Sequence, residues 1–168
     1  MRILVPTLGA MLILTGCSSS GHRRWAPNAA LAPPVADAEP ASPEASTRIS
    51  EVITYAEAQV GKPYCWGGEG PRCFDCAGLA QMAWSRAGVR IPRTSHDIAR
   101  SLPEVAMDEL RAGDLLWWPG HVAIYEGNGW MIEAFNSRRG VVRRPTRSYP
   151  PRRAFRPVFA PRDIARWP

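Results

Sequence analysis

The sequence has few of the residue types on which several classes of protein depend. It holds one lysine and three histidines among 168 residues, and no apolar run of about 18 residues follows its N-terminal segment. It has no paired C-x-x-C knuckles, and the glycine-rich stretch at 67–70 lacks the G-K-[ST] ending of a phosphate-binding loop. No repeat of solenoid-like period is present. These absences argue against a multispan membrane protein, a zinc-finger protein, a P-loop protein and a repeat protein.

Positive charge is concentrated at the C-terminal end of the chain. Residues 138–168 contain ten arginines and one acidic residue, net +9, whereas residues 1–137 contain 11 basic and 14 acidic residues, net −3. Such a segment favours anionic partners, which include nucleic acid, anionic lipid and the acidic polymers of a cell envelope. A solvated basic tail is the alternative.

The N-terminus has the layout of a secretory signal. Arg2 precedes an apolar run over residues 3–15, which is too short to span a bilayer. The segment Leu14 to Cys17 resembles a bacterial lipobox, which implies removal of residues 1–16 and attachment of lipid to Cys17. An ordinary signal peptide followed by an incidental cysteine is the alternative. We therefore predict an exported protein of the cell envelope that is anchored to a membrane by lipid, and no nucleic-acid partner.

Composition divides the rest of the chain into three parts. Residues 17–47 are mostly Ser, Ala, Pro and Gly and have few large apolar side chains. Such a segment cannot bury enough surface to offset its conformational entropy, so we predict a disordered tether. Residues 48–160 are predicted to form one folded domain, and residues 161–168 a basic tail.

Helical patterns come first in the predicted domain. Apolar residues recur at helical spacing over residues 49–60, with Ser46 or Thr47 as the N-cap. A second helix is predicted to begin after Asp75, which is an N-cap residue type, and to end at Gly88.

A third, short helix is predicted after Thr94 or Ser95, and strand-like segments follow it. These segments are Leu115–Trp118, His121–Tyr125, Trp130–Phe135, Val141–Arg144 and Ala154–Ala160. Helices followed by a run of hairpin-connected strands predict an α+β domain, in which the helices pack on an antiparallel sheet.

The cysteines allow more than one interpretation. With Cys17 assigned to lipid, three remain, and in an oxidising compartment two could pair. A Cys65–Cys73 bridge would stiffen the loop between them by about 2–3 kcal/mol on the loop-entropy model, and would leave Cys76 free. The alternatives are a zinc site made of all three cysteines with His121, and a redox pair in the C-x-x-C spacing of Cys73 and Cys76.

The position of Cys76 is typical of a reactive thiol. It follows Asp75 at the start of an amphipathic helix, where unpaired N–H groups and the helix dipole stabilise a thiolate. A cysteine nucleophile also needs a base. His22 lies in the predicted tether and His96 in a short helix, so His121, at the start of a strand, is the base candidate by elimination. A structural cysteine and a structural histidine are the alternatives.

The group that orients the base depends on the register of one hairpin. A two-residue turn at 127–128 would make Glu133 face away from His121. A three-residue loop at 127–129 shifts the pairing by one residue, so that the two side chains share a face as diagonal neighbours, about 7–8 Å apart at the backbone. We predict the second arrangement, because Gly129 suits the left-handed third position of such a loop.

Six short motifs occur together in the chain. They are PYCWGG at 63–68, FDCAGL at 74–79, PRTS at 92–95, AGDL at 112–115, GHVAIY at 120–125 and MIEA at 131–134. In this order they resemble the PY-x-WGG…FDCSGL signature and later motifs of NlpC/p60-type cell-wall cysteine peptidases. The likeness covers about residues 48–145.

The resemblance implies a papain-like α+β fold and an endopeptidase that hydrolyses peptidoglycan stem peptides. The bond expected from the family joins the γ-carboxyl of D-glutamate to a diamino acid such as meso-diaminopimelate. By matching position, Cys76 is the expected nucleophile, His121 the general base and acid, and Glu133 the orienting residue. The substrate contacts are expected at Tyr64, Trp66, Asp75 and Arg93.

The chain departs from the family pattern in three places. Ala77 stands where Ser is usual, Ile98 replaces a common Gln, and Glu133 occupies a position where His is frequent. None of these changes removes the nucleophile or the base. We expect a monomer that needs no metal or cofactor. The alternatives are a catalytically silent domain that binds cell wall or a partner hydrolase, and a lipid acyltransferase with the same papain-like chemistry.

Overall fold

The computed structural model describes residues 42–159, which form three α-helices, six strands and two single-turn 3₁₀ segments, Met107–Glu109 and Thr146–Ser148. The helices are α1 (Pro43–Glu57), α2 (Cys76–Arg86) and α3 (Ser95–Ser101), and the strands are β1 (Glu104–Val105), β2 (Leu115–Trp118), β3 (His121–Gly127), β4 (Trp130–Asn136), β5 (Gly140–Pro145) and β6 (Arg153–Phe155). All strand pairs are antiparallel, which confirms the predicted α+β class. Cys17 and the C-terminal segment 161–168 lie outside the described residues.

The order of the strands differs from a simple meander. It is β1-β6-β2-β3-β4-β5, so that β6 lies between β1 and β2. The prediction missed β1, a two-residue strand that pairs only with β6, and extended the last strand to Ala160. The strand ends at Phe155, and Pro157, which has no N–H to donate, follows two residues later. Pairing with a distant segment therefore explains β1, and a local proline explains the end of β6.

Helix α1 begins before the predicted domain boundary at residue 48. Its N-cap is Ser42, whose hydroxyl accepts a hydrogen bond from the Ala45 N–H at 3.2 Å, and not Ser46 or Thr47. Pro43 occupies the first helical turn, where its fixed φ favours a helix and its missing N–H costs nothing. Residues 43–47 therefore belong to the helix rather than to the predicted tether.

Helix α2 is the central element of the core. It packs against α1 on one side and against β3 and β4 on the other. Its fully buried side chains include Leu79, Ala80, Ala83 and Trp84, and the Trp84 indole donates to the Gly113 carbonyl at 3.2 Å. A helix held on two sides gives its first residue, Cys76, a fixed position against the sheet. None of the helices within residues 42–159 is long and apolar enough to cross a membrane.

Candidate active site

Cys76 lies at the first position of α2, as predicted from the N-cap type of Asp75. The Asp75 side chain accepts from the Gly78 N–H at 2.6 Å, and the Asp75 carbonyl accepts from the Leu79 N–H at 3.0 Å. The N–H groups of Cys76 and Ala77 precede these bonds and have no acceptor within the helix. They are therefore available to an anion that forms beside the thiol.

The loop that precedes α2 packs against the start of the helix through Gly68. This contact requires glycine at position 78. A Cβ at Gly78 would lie 2.0 Å from the Gly68 carbonyl oxygen, which is closer than any side chain tolerates. The Asp75 N–H donates to the same carbonyl at 2.9 Å. This close approach explains the glycine in the FDCAGL motif and places the loop beside Cys76.

Asp75 and Arg93 form an ion pair in addition to the helix cap. Arg93 donates to both carboxylate oxygens of Asp75, at 3.0 and 2.7 Å, and its Nε donates to Glu69 at 2.5 Å. Asp75 also accepts from the Gly67 N–H at 3.0 Å. These bonds join the loop, the start of α2 and the segment before α3, and this structural role was missed at the sequence level because it depends on contacts between distant residues.

Tyr64 and Trp66 lie on the same loop, in different environments. Burial raises the pKa of the Tyr64 hydroxyl, and the negative charges of Cys76 and Asp75 raise it further, against a smaller opposing effect of Arg93. Tyr64 is therefore close enough to Cys76 to interact with its charge. The Trp66 side chain is 91% exposed and offers a free aromatic face beside the loop.

The three predicted domain cysteines divide into a disulfide and a free thiol. Cys65 and Cys73 are bonded to each other, and Cys76 is free and buried. The bridged sulfurs cannot act as zinc ligands, and Cys73 cannot pair with Cys76 while the bridge is intact. Nowhere in residues 42–159 do three or more His, Cys, Asp or Glu side chains lie where they could hold a metal ion.

Removal of the disulfide is expected to destabilise the domain. Replacing Cys65 and Cys73 together by Ser should lower the free energy of unfolding by about 2–3 kcal/mol. The two cysteines are 8 positions apart, and without the bridge the loop between them is no longer closed in the unfolded chain. Urea denaturation of the double variant and of the oxidised wild-type protein checks this. The reduced wild-type protein is the control and should be as unstable as the double variant. Equal midpoints for oxidised wild type and double variant would contradict it.

His121 and Glu133 share one face of the sheet. Ile124 pairs with Ile132, and the same register places residue 135 opposite His121. Side chains alternate along each strand, so His121 and Glu133 are diagonal neighbours, as predicted. His121 Nε2 hydrogen-bonds with Glu133 Oε2, and the Glu133 side chain is fully buried.

The turn reaches this register by a different route from the predicted three-residue loop. Gly127 pairs with Trp130, so the turn consists of two residues, Asn128 and Gly129, with φ of 51° and 78°. Two positive φ values are typical of a type I′ hairpin turn. The register shifts between residues 125 and 127, so Glu126 is the extra residue of a bulge. The bulge supplies the one-residue shift that the prediction assigned to the loop.

The electrostatic environment of His121 favours its charged form. Burial lowers the pKa of His121, but hydrogen bonding to Cys76 and Glu133 and their negative charges outweigh burial and raise the pKa to about 9. Because Nε2 is engaged by Glu133, Nδ1 is the ring nitrogen left for the Cys76 thiol. The three side chains therefore form a chain of interactions that runs from Cys76 through His121 to Glu133.

Arg144 is a fourth member of this group, and no local pattern in the sequence indicated it. Met131 pairs with Arg144 and Glu133 with Val142, so Arg144 lies on the same face as Glu133 and on the opposite side from His121. Its Nε donates to Glu133 Oε1. The pairing register of the β4–β5 hairpin places Arg144 beside Glu133, so a correct prediction of that register would have identified it.

Aromatic rings hold the rest of the Arg144 guanidinium. Its carbon lies 4.2 Å from the Phe135 ring centroid and 5.2 Å from that of Tyr149. Its Nη2 is buried and has no hydrogen-bond partner among the described residues. Cation–π attraction therefore takes the place of a second hydrogen bond.

The chain is similar to known proteins in both sequence and fold. The sequence model of the NlpC/P60 family matches residues 61–158. A protein of Corynebacterium glutamicum named a probable endopeptidase is 44% identical over 154 residues, which cover 81% of this chain and 73% of that protein.

Two solved structures from Mycobacterium tuberculosis have the same fold. The peptidoglycan hydrolase RipB superposes with a TM-score of 0.59 at 35% identity, over 66% of this chain and 65% of RipB. RipD, described as a non-catalytic NlpC/p60 domain protein adapted to peptidoglycan binding, gives a TM-score of 0.56 at 29% identity, over 65% of this chain and 96% of RipD. The fold alone therefore occurs with and without catalysis.

Proposed function

This chain belongs to the NlpC/P60 family, and on that premise we propose that it is a cysteine endopeptidase that cuts peptidoglycan stem peptides. The observation that carries the proposal is the linked arrangement of Cys76, His121 and Glu133. A nucleophile at a helix N-terminus, a base with a raised pKa and a buried carboxylate that orients the base are the parts that thiol acyl transfer needs.

The proposed reaction proceeds in two steps. The Cys76 thiolate attacks the amide carbonyl, and the oxyanion is stabilised by the free N–H groups at the start of α2. His121, as imidazolium, gives its proton to the departing amine, which leaves a thioester on Cys76. Neutral His121 then takes a proton from water, the hydroxide hydrolyses the thioester, and the carboxylic acid leaves.

Glu133 and Arg144 do not contact the reacting atoms in this scheme. Glu133 fixes the ring of His121 and stabilises its positive charge through Nε2. Arg144 holds Glu133 from the other side, so that the carboxylate stays in place without solvent.

We further propose that the bond cut joins the γ-carboxyl of D-glutamate to a diamino acid such as meso-diaminopimelate. This choice is supported by the match of the chain's motifs to the family. We also propose that the protein acts at the cell envelope on a lipid anchor at Cys17. That location remains a prediction from the N-terminal sequence.

The test uses the full purified chain in detergent with muropeptides that carry meso-diaminopimelate. Mass spectrometry of the products should show cleavage at one stem-peptide bond and identify it. Protein pretreated with iodoacetamide, which alkylates a reactive free thiol such as Cys76, is the matched control and should be inactive. If the untreated, reduced and folded protein cuts no muropeptide but sediments with isolated peptidoglycan, a binding domain like RipD replaces the enzyme.

The raised pKa of His121 predicts the alkaline limit of activity. The imidazolium is needed to protonate the leaving amine, so kcat/KM should fall through a midpoint near pH 9 rather than near 6.5. A folded-state pKa above the unfolded value also means that this group's contribution to stability is complete below pH 6.5 and is lost as the pH rises through about 9.

A pH–rate profile and an NMR titration of the histidine rings check this expectation. In the Cys76→Ala variant, His121 should titrate at a lower pH than in the wild type, because the thiol's hydrogen bond and charge are gone. An unchanged His121 titration in that variant would contradict the coupling of the two residues.

A further inference from the structure

A cleft lies beside Trp118, the residue that pairs with His121 across β2 and β3. Its volume is about 750 Å³, and its lining includes Trp118, Tyr149 and Arg152. Trp118 stands opposite His121 in the β2–β3 pairing, with ring centroids 5.6 Å apart. Trp118 therefore connects the cleft to His121, and the mechanism described above does not use the cleft.

Two stacked aromatic rings form one wall of the cleft. Tyr149 stacks on Trp118 with ring centroids 4.6 Å apart and an angle of 4° between the planes. The Trp118 indole donates to the Pro150 carbonyl at 2.8 Å, which fixes the ring. Trp118 is almost fully buried, whereas Tyr149 is 40% exposed, so Tyr149 is the face that a ligand would meet. An aromatic face of this kind packs well against an aliphatic chain.

The cleft also carries uncompensated positive charge. Four other arginines of the C-terminal region are paired with carboxylates: Arg143 with Glu126, Arg144 with Glu133, Arg153 with Glu104 and Arg156 with Asp114. Arg152 lines the cleft, and Arg147 lies two residues before Tyr149. Within residues 42–159 neither has a carboxylate partner. Both are exposed and free to bind an anion.

The chemistry of amide cleavage decides which half of the substrate meets this cleft. The group that protonates the leaving amine must lie on the leaving-group side of the scissile bond. His121 is that group, so the leaving fragment extends past His121 toward Trp118 and Tyr149. At the start of α2, next to Cys76, the guanidinium of Arg93 is already bound by Asp75 and Glu69. Free positive charge is therefore found on the leaving-group side of the thiol.

We propose that this cleft is the leaving-group subsite, and that Arg152 binds a free carboxylate on the departing diamino acid while Tyr149 packs on its carbon chain. The inference rests on the proposed function and adds a specificity to it. A diamino acid with a free carboxylate on its side chain, such as meso-diaminopimelate, is preferred over the same residue with that carboxylate amidated. Lysine, which lacks the group, is disfavoured for the same reason.

The test compares two stem peptides that differ only in amidation of the diaminopimelate carboxylate. The wild-type chain should cleave the free acid with about tenfold higher kcat/KM, the size of one charge-assisted hydrogen bond. Arg152→Gln should abolish most of that preference. Arg138→Gln is the matched control, because Arg138 is also exposed and without a carboxylate partner among residues 42–159 but does not line the cleft. Equal preference in wild type and Arg152→Gln would overturn the proposal.

A binding measurement separates this proposal from the proposed function. The leaving fragment, diaminopimelyl-D-alanine, is titrated into the wild-type chain and Arg152→Gln by calorimetry. Weaker binding to Arg152→Gln than to wild type and Arg138→Gln supports the subsite, even if no peptide is cut. Absence of cleavage with intact binding counts against the enzyme alone, and equal binding to all three proteins counts against the subsite.

Discussion

Cys76→Ala is expected to reduce stem-peptide cleavage by at least about 10⁴-fold, as loss of the nucleophile does in other acyl-transfer enzymes. The fold should remain, because Cys76 is a small buried residue outside the disulfide and Ala fits the same space. The measurement is kcat/KM with a defined muropeptide, beside a thermal melt of each protein. Wild-type protein quenched during turnover should carry a mass increase on the peptide that contains Cys76.

Ala77→Ser is the matched control for this prediction. It alters the adjacent buried position in the same turn of α2 and restores the residue type that is usual in the family, so cleavage should persist. Cleavage by Cys76→Ala above about one thousandth of the wild-type rate would be inconsistent with a thioester on Cys76. The same result would require another nucleophile in the chain.

Local sequence signals predicted the parts of the site that depend on neighbouring residues. Asp75 is an N-cap by residue type, and a helix that begins there places Cys76 at its first position. The pairing of His121 with Glu133 followed from alternation in one hairpin, and the structure confirms it. Each of these inferences needed only one element or two elements joined by a tight turn.

The features that the sequence did not predict depend on contacts between distant segments. Strand β1 exists because it pairs with β6, about 50 residues later in the chain. The bond from Arg93 to Asp75 spans 18 positions and joins two loops. No local periodicity indicates such pairs, since the spacing between their members is set by the whole fold.

Residues 43–47 illustrate a different limit. Their composition resembles the preceding Ala/Pro/Ser-rich segment, and this similarity hid the cap signal of Ser42 and Pro43. Composition averages over a window, whereas a helix N-terminus depends on one or two residues. The Ser42 and Pro43 cap signal was present in the sequence, but the composition of the surrounding window favoured a disordered tether.

Arg144→Met is expected to lower both stability and activity. Glu133 is fully buried and held by His121 and Arg144, so removal of the guanidinium leaves a buried carboxylate with one of its two partners missing. The expected loss is about 3–5 kcal/mol in the free energy of unfolding, the usual cost of breaking a buried ion pair by removing one member. Without Arg144, Glu133 no longer fixes the His121 ring, so kcat/KM should also fall by at least about tenfold. Urea denaturation and muropeptide kinetics check the two effects.

A second substitution separates the charge from the packing. In Arg144→Met with Glu133→Gln, the buried negative charge is removed as well, so most of the lost stability should return. Activity should not return, because a neutral amide stabilises the imidazolium of His121 less than a carboxylate does, and the alkaline limb of the pH profile should move below pH 9. Arg144→Lys, which keeps the charge but not the planar stacking on Phe135, should lie between wild type and Arg144→Met in both measurements. If the double variant were as unstable as Arg144→Met alone, Arg144 would stabilise the domain through its aromatic contacts rather than through Glu133.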